Sequence, residues 1–335
     1  MIEIDGGLGG GQMLRTALTA SILTGKGFHI KDIRGDRSNP GLKNQHLTAV
    51  KAAKKLCNAE TEGLSKSSTE LVFRPQGNDF RGLEVDVGTA GSTCLVLDTL
   101  LPVTKCFENK AVFEVSGGTE VKWSPTGLHY RHVKMPLLEK TGLEADFSVE
   151  RRGFYPKGGG KIKLTFKEWQ QKRLELVDRG DLEEIVVCSI RSESLASREV
   201  AERQASTAVE LLQEEASVQI RSEVKTVESD SPGSAVLVKA VYEDSVAGFD
   251  AVGEKGKRAE DVACEAVEDF KSFQASTAAV DSYMADQLMM FAAITSGSYS
   301  IMEKTDHVES NAYVLEKFGY EAEFRKKDSK VVISF

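Results

Sequence analysis

Two arginines three residues apart, a turn, and then Gln45-His46 at the mouth of an apolar-periodic run make Ile33 to Val50 (IRGDRSNPGLKNQHLTAV) the most chemically loaded stretch of the chain. Arg34 and Arg37 supply planar forks that match phosphate oxygens, and the free N–H groups of a helix start add to them, so the arrangement suits an anion. A surface arginine pair with a capping histidine accounts for the same residues without a ligand. A second anion-suited stretch, Gly6-Gly7-Leu8-Gly9-Gly10-Gly11-Gln12, lies between a short strand at residues 2–5 and the apolar run Met13 to Leu23, with Arg15 projecting from the first helical turn. Glycines let backbone N–H groups come close to a ligand. The pattern is neither GxGxxG nor a Walker loop, and a tight structural turn uses glycine too. A third stretch, Arg151-Arg152-Gly153-Phe154-Tyr155-Pro156-Lys157-Gly158-Gly159-Gly160-Lys161, interleaves cations with aromatic rings. That composition suits phosphate contact and base stacking, with a β-hairpin carrying an ordinary charged turn as the alternative.

The elements that must hold these residues follow from periodicity. After Gln45-His46, Leu47, Val50, Ala53, Leu56 and Cys57 recur at helical spacing and leave Lys51, Lys54 and Lys55 for the solvated side. The same layout comes again: strand-like Leu83 to Val87, the loop Gly88 to Ser92, a helix from Thr93 to about Leu101, a strand at Ala111 to Val115, the loop Ser116 to Thr119, and a helix around Tyr130 to Lys140. A late copy runs from a helix opened by Ala285-Asp286-Gln287, through a strand at Ser298 to Met302, to a helix opened by Asp306-His307. Three units of roughly 80 residues, each with two helices and about four strands, predict an α+β fold built by internal triplication.

The third unit is interrupted. Between Lys172 and about Ala275 the chain carries strand-like runs at Glu184 to Ile190, Val218 to Val224 and Ala235 to Val241, with helices at about Ser197 to Glu214 and Ala259 to Phe273. This strand–helix–strand segment has no glycine-rich anion loop of the kind seen elsewhere and reads as an inserted small α/β domain. The expected division is a large domain at 1–180 and 277–335 and an insert at 181–276. Gly253 to Arg258 forms a basic knot in the insert, for which a solvated loop and an RNA contact are equally good explanations.

Length and composition bound the rest. A chain of 335 residues is long enough for more than one core. Neither a long uncharged apolar stretch nor a leader-like N-terminus is present, so no membrane span or signal peptide is expected. Five cysteines, scattered and without a CxxC pair, point to a reducing, cytoplasmic setting and away from a zinc site. A net charge of −8 argues against a nucleic-acid partner only until its distribution is seen: residues 1–166 hold 23 Lys and Arg against 18 Asp and Glu, whereas 183–275 hold 10 against 20. The acidity belongs to the insert, and a basic groove elsewhere is compatible with it.

With IRGDRSNPGLKNQHLTAV, GTAGST, SGGTEVKWSP, RRGFYPKGGG, STAAVDSYMADQL and a late histidine in this order, the chain resembles the RNA 3'-terminal phosphate cyclases from residue 2 to its end. The resemblance implies three repeats similar to the C-terminal domain of a translation initiation factor, with a thioredoxin-like insertion. It implies a ligase-type enzyme that uses ATP and a divalent metal, Mg or Mn, to turn an RNA 3'-terminal phosphate into a 2',3'-cyclic phosphodiester. His307 would be the nucleophile that takes AMP. Tyr283, Met284, Ala285, Asp286 and Gln287 would build the adenine and ribose pocket, with Tyr283 stacking, Asp286 accepting a hydrogen bond, Pro125 closing the other face and Asp98 near the base. Arg15, Arg34, Arg37, Gln45 and His46 would surround phosphates, and Arg151, Arg152 and Lys157 would meet RNA. Metal ligands and oligomeric state are left open, a homodimer included.

Local chemistry adds to the assignment of His307. Asp306 with Glu309 resembles a capping box and puts His307 in a first helical turn, where the helix dipole disfavours the imidazolium and free N–H groups receive phosphate oxygens. His46 is a candidate base for ring closure. Two positions depart from the family pattern. The N-terminal loop is shorter by two residues, with Leu8 where the family has glutamate, and Asp98 stands where glutamine is expected. Two rivals follow: a non-catalytic cyclase-like protein of ribosome assembly, and a carboxyvinyl transferase resembling the enolpyruvyl enzymes.

Overall fold

Alternation along the chain decides the strands. In Ala111–Gly117 and Gly160–Trp169 buried and more solvated side chains alternate, so each strand offers one apolar face to packed helices. The computed structural model describes residues 1–77 and 81–335, and within them three sheets share one topology. In the first, Ile2–Asp5 lies parallel to Phe28–Lys31, which pairs antiparallel with Leu71–Arg74, itself antiparallel to Glu60–Glu62. Leu83–Asp86, Ala111–Gly117, Gly160–Trp169 and Leu143–Arg151 repeat that order, and so do Glu175–Leu176, Ser298–Ile301, Lys330–Ser334 and Glu323–Lys327. In the first two sheets one helix joins the two parallel strands, as a parallel connection requires; in the third the connection carries the insert and then the short helices Met284–Gln287 and Met289–Thr295; in all three a further helix follows the second strand.

The helices form where the apolar stripe predicts. Asn44–Cys57 buries Val50, Ala53, Leu56 and Cys57 and exposes Lys51, Lys54 and Lys55. It ends at Asn58, whose φ of 49° is the left-handed conformation a helix terminus favours. Between Gly127 and Glu139 the helix widens into a π turn over Tyr130–Lys134. Pro136 follows, and because it has no N–H it cannot supply the ordinary bond back to His132.

The insert has its own sheet. Leu182–Ser192 lies at its centre, parallel to Gln219–Val227 and antiparallel to Ser234–Tyr242, whose other edge pairs with Val246–Val252. Helices Val200–Glu215 and Ala259–Gln274 pack on it and bury a core separate from the main one. Val246–Val252 is a strand that periodicity does not reveal: six of its seven residues are buried, so no alternation marks it. Its cover comes from Ala259–Gln274 and from the Gly127–Lys134 region of the large core. The insert is therefore docked through a strand rather than tethered by a loop.

Candidate active site

His307 sits in the first turn of the helix Asp306–Phe318, with about half of its side chain exposed. The N-cap is Thr305, whose hydroxyl accepts from the Val308 N–H at 3.3 Å; this corrects the expected Asp306–Glu309 capping box, since Glu309 pairs instead with Lys304 at 3.1 Å. His307 keeps its place in the turn because the cap has moved by only one residue. Its Nδ1 lies 3.8 Å from Asp286 Oδ2, which leaves Nε2 as the outward atom. Asp286 is in turn held by Asn311 Nδ2 at 3.3 Å, and Asn311 Oδ1 accepts from Thr16 Oγ1 at 2.9 Å. Burial raises the Asp286 carboxyl, against the opposing charges of His307, Arg15 and Lys134. An imidazole, a carboxylate behind it and an amide that orients the carboxylate thus form one chain of contacts, an arrangement that suits a nucleophile. Asn311 and Thr16 went unnoticed in the sequence, although Asn311 stands one helical turn after His307.

The glycine loop and the helix Asn44–Cys57 meet beside this line. A Cβ on Gly11 would fall 2.3 Å from His46 Nε2, and one on Gly9 would fall 2.9 Å from Ser310, so the loop's close approach requires glycine. Gln12 Nε2 donates to Ser310 Oγ at 3.0 Å and ties the loop to the His307 helix. His46 Nδ1 accepts from the Lys43 N–H at 3.1 Å, which assigns the ring proton to Nε2. Burial, reinforced by Arg15, Arg34 and Lys43, pushes His46 down to about 3. A ring that titrates so low is a poor base near neutral pH and a good neutral donor, which suits contact with phosphate. Arg34 has a positive φ of 57° and spends Nη1 on the carbonyls of Asn39 and Gly41, at 2.9 and 3.0 Å, so much of its fork shapes the loop. Arg37 is exposed near Gly10. Gln45 Oε1 accepts from the Ser92 N–H at 3.1 Å and joins the Gly88–Ser92 loop to this helix.

A buried polar cavity lies behind Asp286. Lys134, 1% exposed, is carried there by the π turn; its Nζ donates to Asp98 Oδ1 at 2.5 Å and to Gln287 Oε1 at 2.8 Å. Asp98 Oδ2 and the Tyr130 hydroxyl are buried with no hydrogen-bond partner among the described residues. Arg15 faces the same cavity, lowered by burial while Asp98 and Asp286 favour its charge. The structure brings Asp98 together with Asp286 and Gln287 of the expected nucleotide pocket and also with Arg15, which was expected at the phosphates; Lys134 is an addition that no sequence signal marked.

Tyr283 is set against the insert. Its ring lies 5.3 Å from that of His129, centroid to centroid and edge-on, and burial with the charges of Asp250 and Asp269 pushes its phenol well up. Asp281 organises this corner: Oδ1 accepts from the N–H groups of Tyr283 and Met284, both at 3.0 Å, and Oδ2 from the Gly248 N–H at 3.0 Å and His129 Nε2 at 3.2 Å. Met284 and Ala285 put their side chains into the core and offer only backbone to a ligand. Pro125 is buried next to Thr126, whose N–H donates to Asp250 at 3.0 Å.

The basic hairpin is largely committed internally. Arg151 makes a two-pronged pair with Asp230 of the insert at 2.8 and 3.1 Å, and Arg152 pairs with Glu120, which is fully buried. Lys157 is exposed, and Phe154 is buried against Gly233. Among the described residues no group of three or more His, Cys, Asp or Glu is placed to hold a metal ion. The described residues therefore offer a divalent ion no protein cage. No helix of the described residues is long and apolar enough to cross a membrane.

Comparison with known proteins bears on this geometry. The family model described as RNA 3'-terminal phosphate cyclase matches residues 6–325. Proteins named RNA 3'-terminal phosphate cyclase from Halobacterium salinarum (38% identity over 99% of both chains), Sulfurisphaera tokodaii (42%, over 95% of this chain and 94% of the relative) and Archaeoglobus fulgidus (42%, over 95% of both) are similar along nearly the whole length. Among solved structures the enolpyruvyl transferase NikO from Streptomyces tendae covers 99% of this chain and 81% of its own at 9% identity, with a TM-score of 0.27, too slight to bear on the fold. The chain belongs to the RNA 3'-terminal phosphate cyclase family.

Proposed function

We propose that the chain uses ATP to convert an RNA 3'-terminal phosphate into a 2',3'-cyclic phosphodiester through an AMP carried on His307. The observation that carries this reading is the His307–Asp286–Asn311–Thr16 line, with Nδ1 turned to the carboxylate and Nε2 to the open side. Nε2 attacks the α-phosphorus of ATP, the Nε2–P bond forms and pyrophosphate leaves with the P–O bonding pair. Asp286 stabilises the proton on Nδ1 as positive charge develops on the ring. The N–H groups of the glycine loop and of the His307 helix face the phosphates, with Arg15, Arg37 and neutral His46 as further donors.

In the second step a 3'-phosphate oxygen of RNA attacks the same phosphorus, the Nε2–P bond breaks and a mixed anhydride results. The neighbouring 2'-hydroxyl then attacks the 3'-phosphorus, loses its proton and expels AMP. Proximity rather than a strong base favours this closure.

The domain division at 181 and 276 belongs to the same proposal, supported by the separate core of the insert. So does a thioredoxin-like reading of the insert's strand order, an initiation-factor-like reading of the three repeated units, and a cytoplasmic location, with which five unpaired cysteines agree. The test is to incubate the protein with ATP, Mg or Mn and an oligoribonucleotide bearing a labelled 3'-phosphate. Phosphatase-resistant label with matching AMP release supports the reading; label that stays fully phosphatase-sensitive with either metal removes it.

A further inference from the structure

Trp123 and Tyr155, at 92% and 77% exposure, are the most exposed large apolar side chains among the described residues. Trp123 also adopts a φ of 59°, a left-handed backbone that a bulky residue enters only when its surroundings enforce it. Those surroundings are visible: the Ser124 hydroxyl donates to the Val121 carbonyl at 3.0 Å, and the Thr126 N–H is fixed to Asp250 at 3.0 Å. The indole is therefore held out in water by a braced turn.

Tyr155 stands on the neighbouring loop. The N–H groups of Thr119 and Glu120 both donate to the Gly153 carbonyl, at 2.8 and 3.1 Å, and the buried Glu120–Arg152 pair clamps the two loops together. Trp123 is three residues past Glu120 and Tyr155 two past Gly153. Both loops adjoin the site. A Cβ on Gly158 would fall 2.8 Å from the Thr89 carbonyl, so the hairpin rests on the Gly88–Ser92 loop that Gln45 holds. On the other side, Thr126 Oγ1 caps His129, whose ring packs on Tyr283. At the hairpin tip Lys157 is exposed; its backbone N–H donates to Ser231 Oγ at 3.2 Å, and its side chain has no partner among the described residues.

We propose that Trp123 and Tyr155 form a stacking platform for the unpaired bases just 5' of the terminal phosphate of the RNA, with Lys157 meeting the phosphates between them. Two aromatic rings standing apart beside a cation fit a single strand, whose every base has a π-face, better than a protein, which would be met by a contiguous apolar patch. The predicted substrate class is an RNA end with a single-stranded 3' tail. The inference rests on the proposed RNA substrate, and it separates the two arginines, which brace the loops, from the aromatics, which meet the strand.

The experiment measures two things on the same variants: AMP attachment to the protein without RNA, and the KM for an oligoribonucleotide bearing a 3'-phosphate. Trp123→Ala and Tyr155→Ala should each raise that KM about 5- to 100-fold, the range of losing one stacked base, while AMP attachment is unchanged. Trp123→Phe and Tyr155→Phe should restore most of the affinity, because the ring and not the polar atom is used. Trp fluorescence gives a reading that needs no catalysis. Of the two tryptophans, Trp169 is engaged with Thr141 and Phe291, so quenching by a single-stranded 3'-phosphate oligonucleotide should report Trp123 and vanish in Trp123→Phe. An unchanged KM in both alanine variants, as a protein-docking role would give, overturns the platform. So does a parallel fall in AMP attachment, which would place these residues in nucleotide binding. Quenching without any AMP attachment in the wild type would keep the platform and remove the proposed reaction.

Discussion

Asp281 takes no part in the chemistry, and replacing it should nevertheless be among the most damaging changes in the chain. Its carboxylate is fully buried and accepts from three backbone N–H groups and from His129 Nε2, across 3.0 to 3.2 Å, joining Tyr283 and Met284 to Gly248 of the insert and to the helix that carries His129. Asp281→Ala orphans all four donors. Each orphan costs about 1–3 kcal/mol, but the four share one cavity that water can enter, so the sum overshoots; the loss of one member of a buried pair, about 3–5 kcal/mol, is the better guide. Asp281→Asn keeps one acceptor oxygen and should cost roughly half as much. Urea unfolding at matched m-values reads both. The pH dependence supplies a second reading. Burial works against protonation of His129, but the charge and hydrogen bond of Asp281 and the charge of Asp250 prevail, and its pKa is raised. A group raised by folding stabilises fully below its unfolded value of about 6.5 and loses that contribution as pH climbs through its folded value. Wild type should therefore lose stability as pH rises above about 6.5 and passes through the raised folded value, and Asp281→Ala should not. A cost under about 1 kcal/mol in Asp281→Ala, or an unaltered pH profile, would refute the reasoning.

Further outcomes follow from the same geometry. Arg152→Ala leaves the fully buried Glu120 carboxylate without its partner and should lower stability by about 3–5 kcal/mol by calorimetry, whereas Arg151→Ala, which opens a half-exposed pair, should cost about 1 kcal/mol or less. His46, depressed to about 3, withholds a proton that the unfolded chain binds, so its neutral burial stabilises fully above about pH 6.5 and less as pH falls toward 3. His46→Gln should flatten that acid limb in pH-dependent unfolding. Leu8, exposed at the mouth of the glycine loop, offers no ligand to a cation; Leu8→Glu should lower the Mg or Mn concentration needed for half-maximal AMP attachment, and an unmoved titration would count against a metal role for that position.

What periodicity could carry, the sequence carried well. The lysine-flanked helix at 44–57 and the strands at 111–117 and 160–169 have one wet face each, and one wet face is what a linear pattern records. Val246–Val252 is wrapped on both sides, so its residues showed no period at all. The candidate site was legible where it rests on local spacing: Arg34, Arg37, Gln45 and His46 are near neighbours in sequence, and His307 lies two residues after the cap Thr305, in the first turn of its helix. It was not legible where function rests on long-range pairing. Lys134 finds Gln287 across 153 residues and Asp281 finds His129 across 152, and nothing in either residue's own neighbourhood announces its partner. The same limit explains Arg151 and Arg152, which look like a nucleic-acid contact in the linear sequence but meet carboxylates supplied from Asp230 and Glu120.

The central claim is that AMP is carried on His307. Wild-type protein mixed with ATP labelled at the α-phosphate and a divalent metal, without RNA, should acquire acid-labile, alkali-stable label, and His307→Ala should acquire none while unfolding at the wild-type midpoint. Label that persists in a folded His307→Ala chain, or a wild type that takes up none with any divalent metal, would contradict the account.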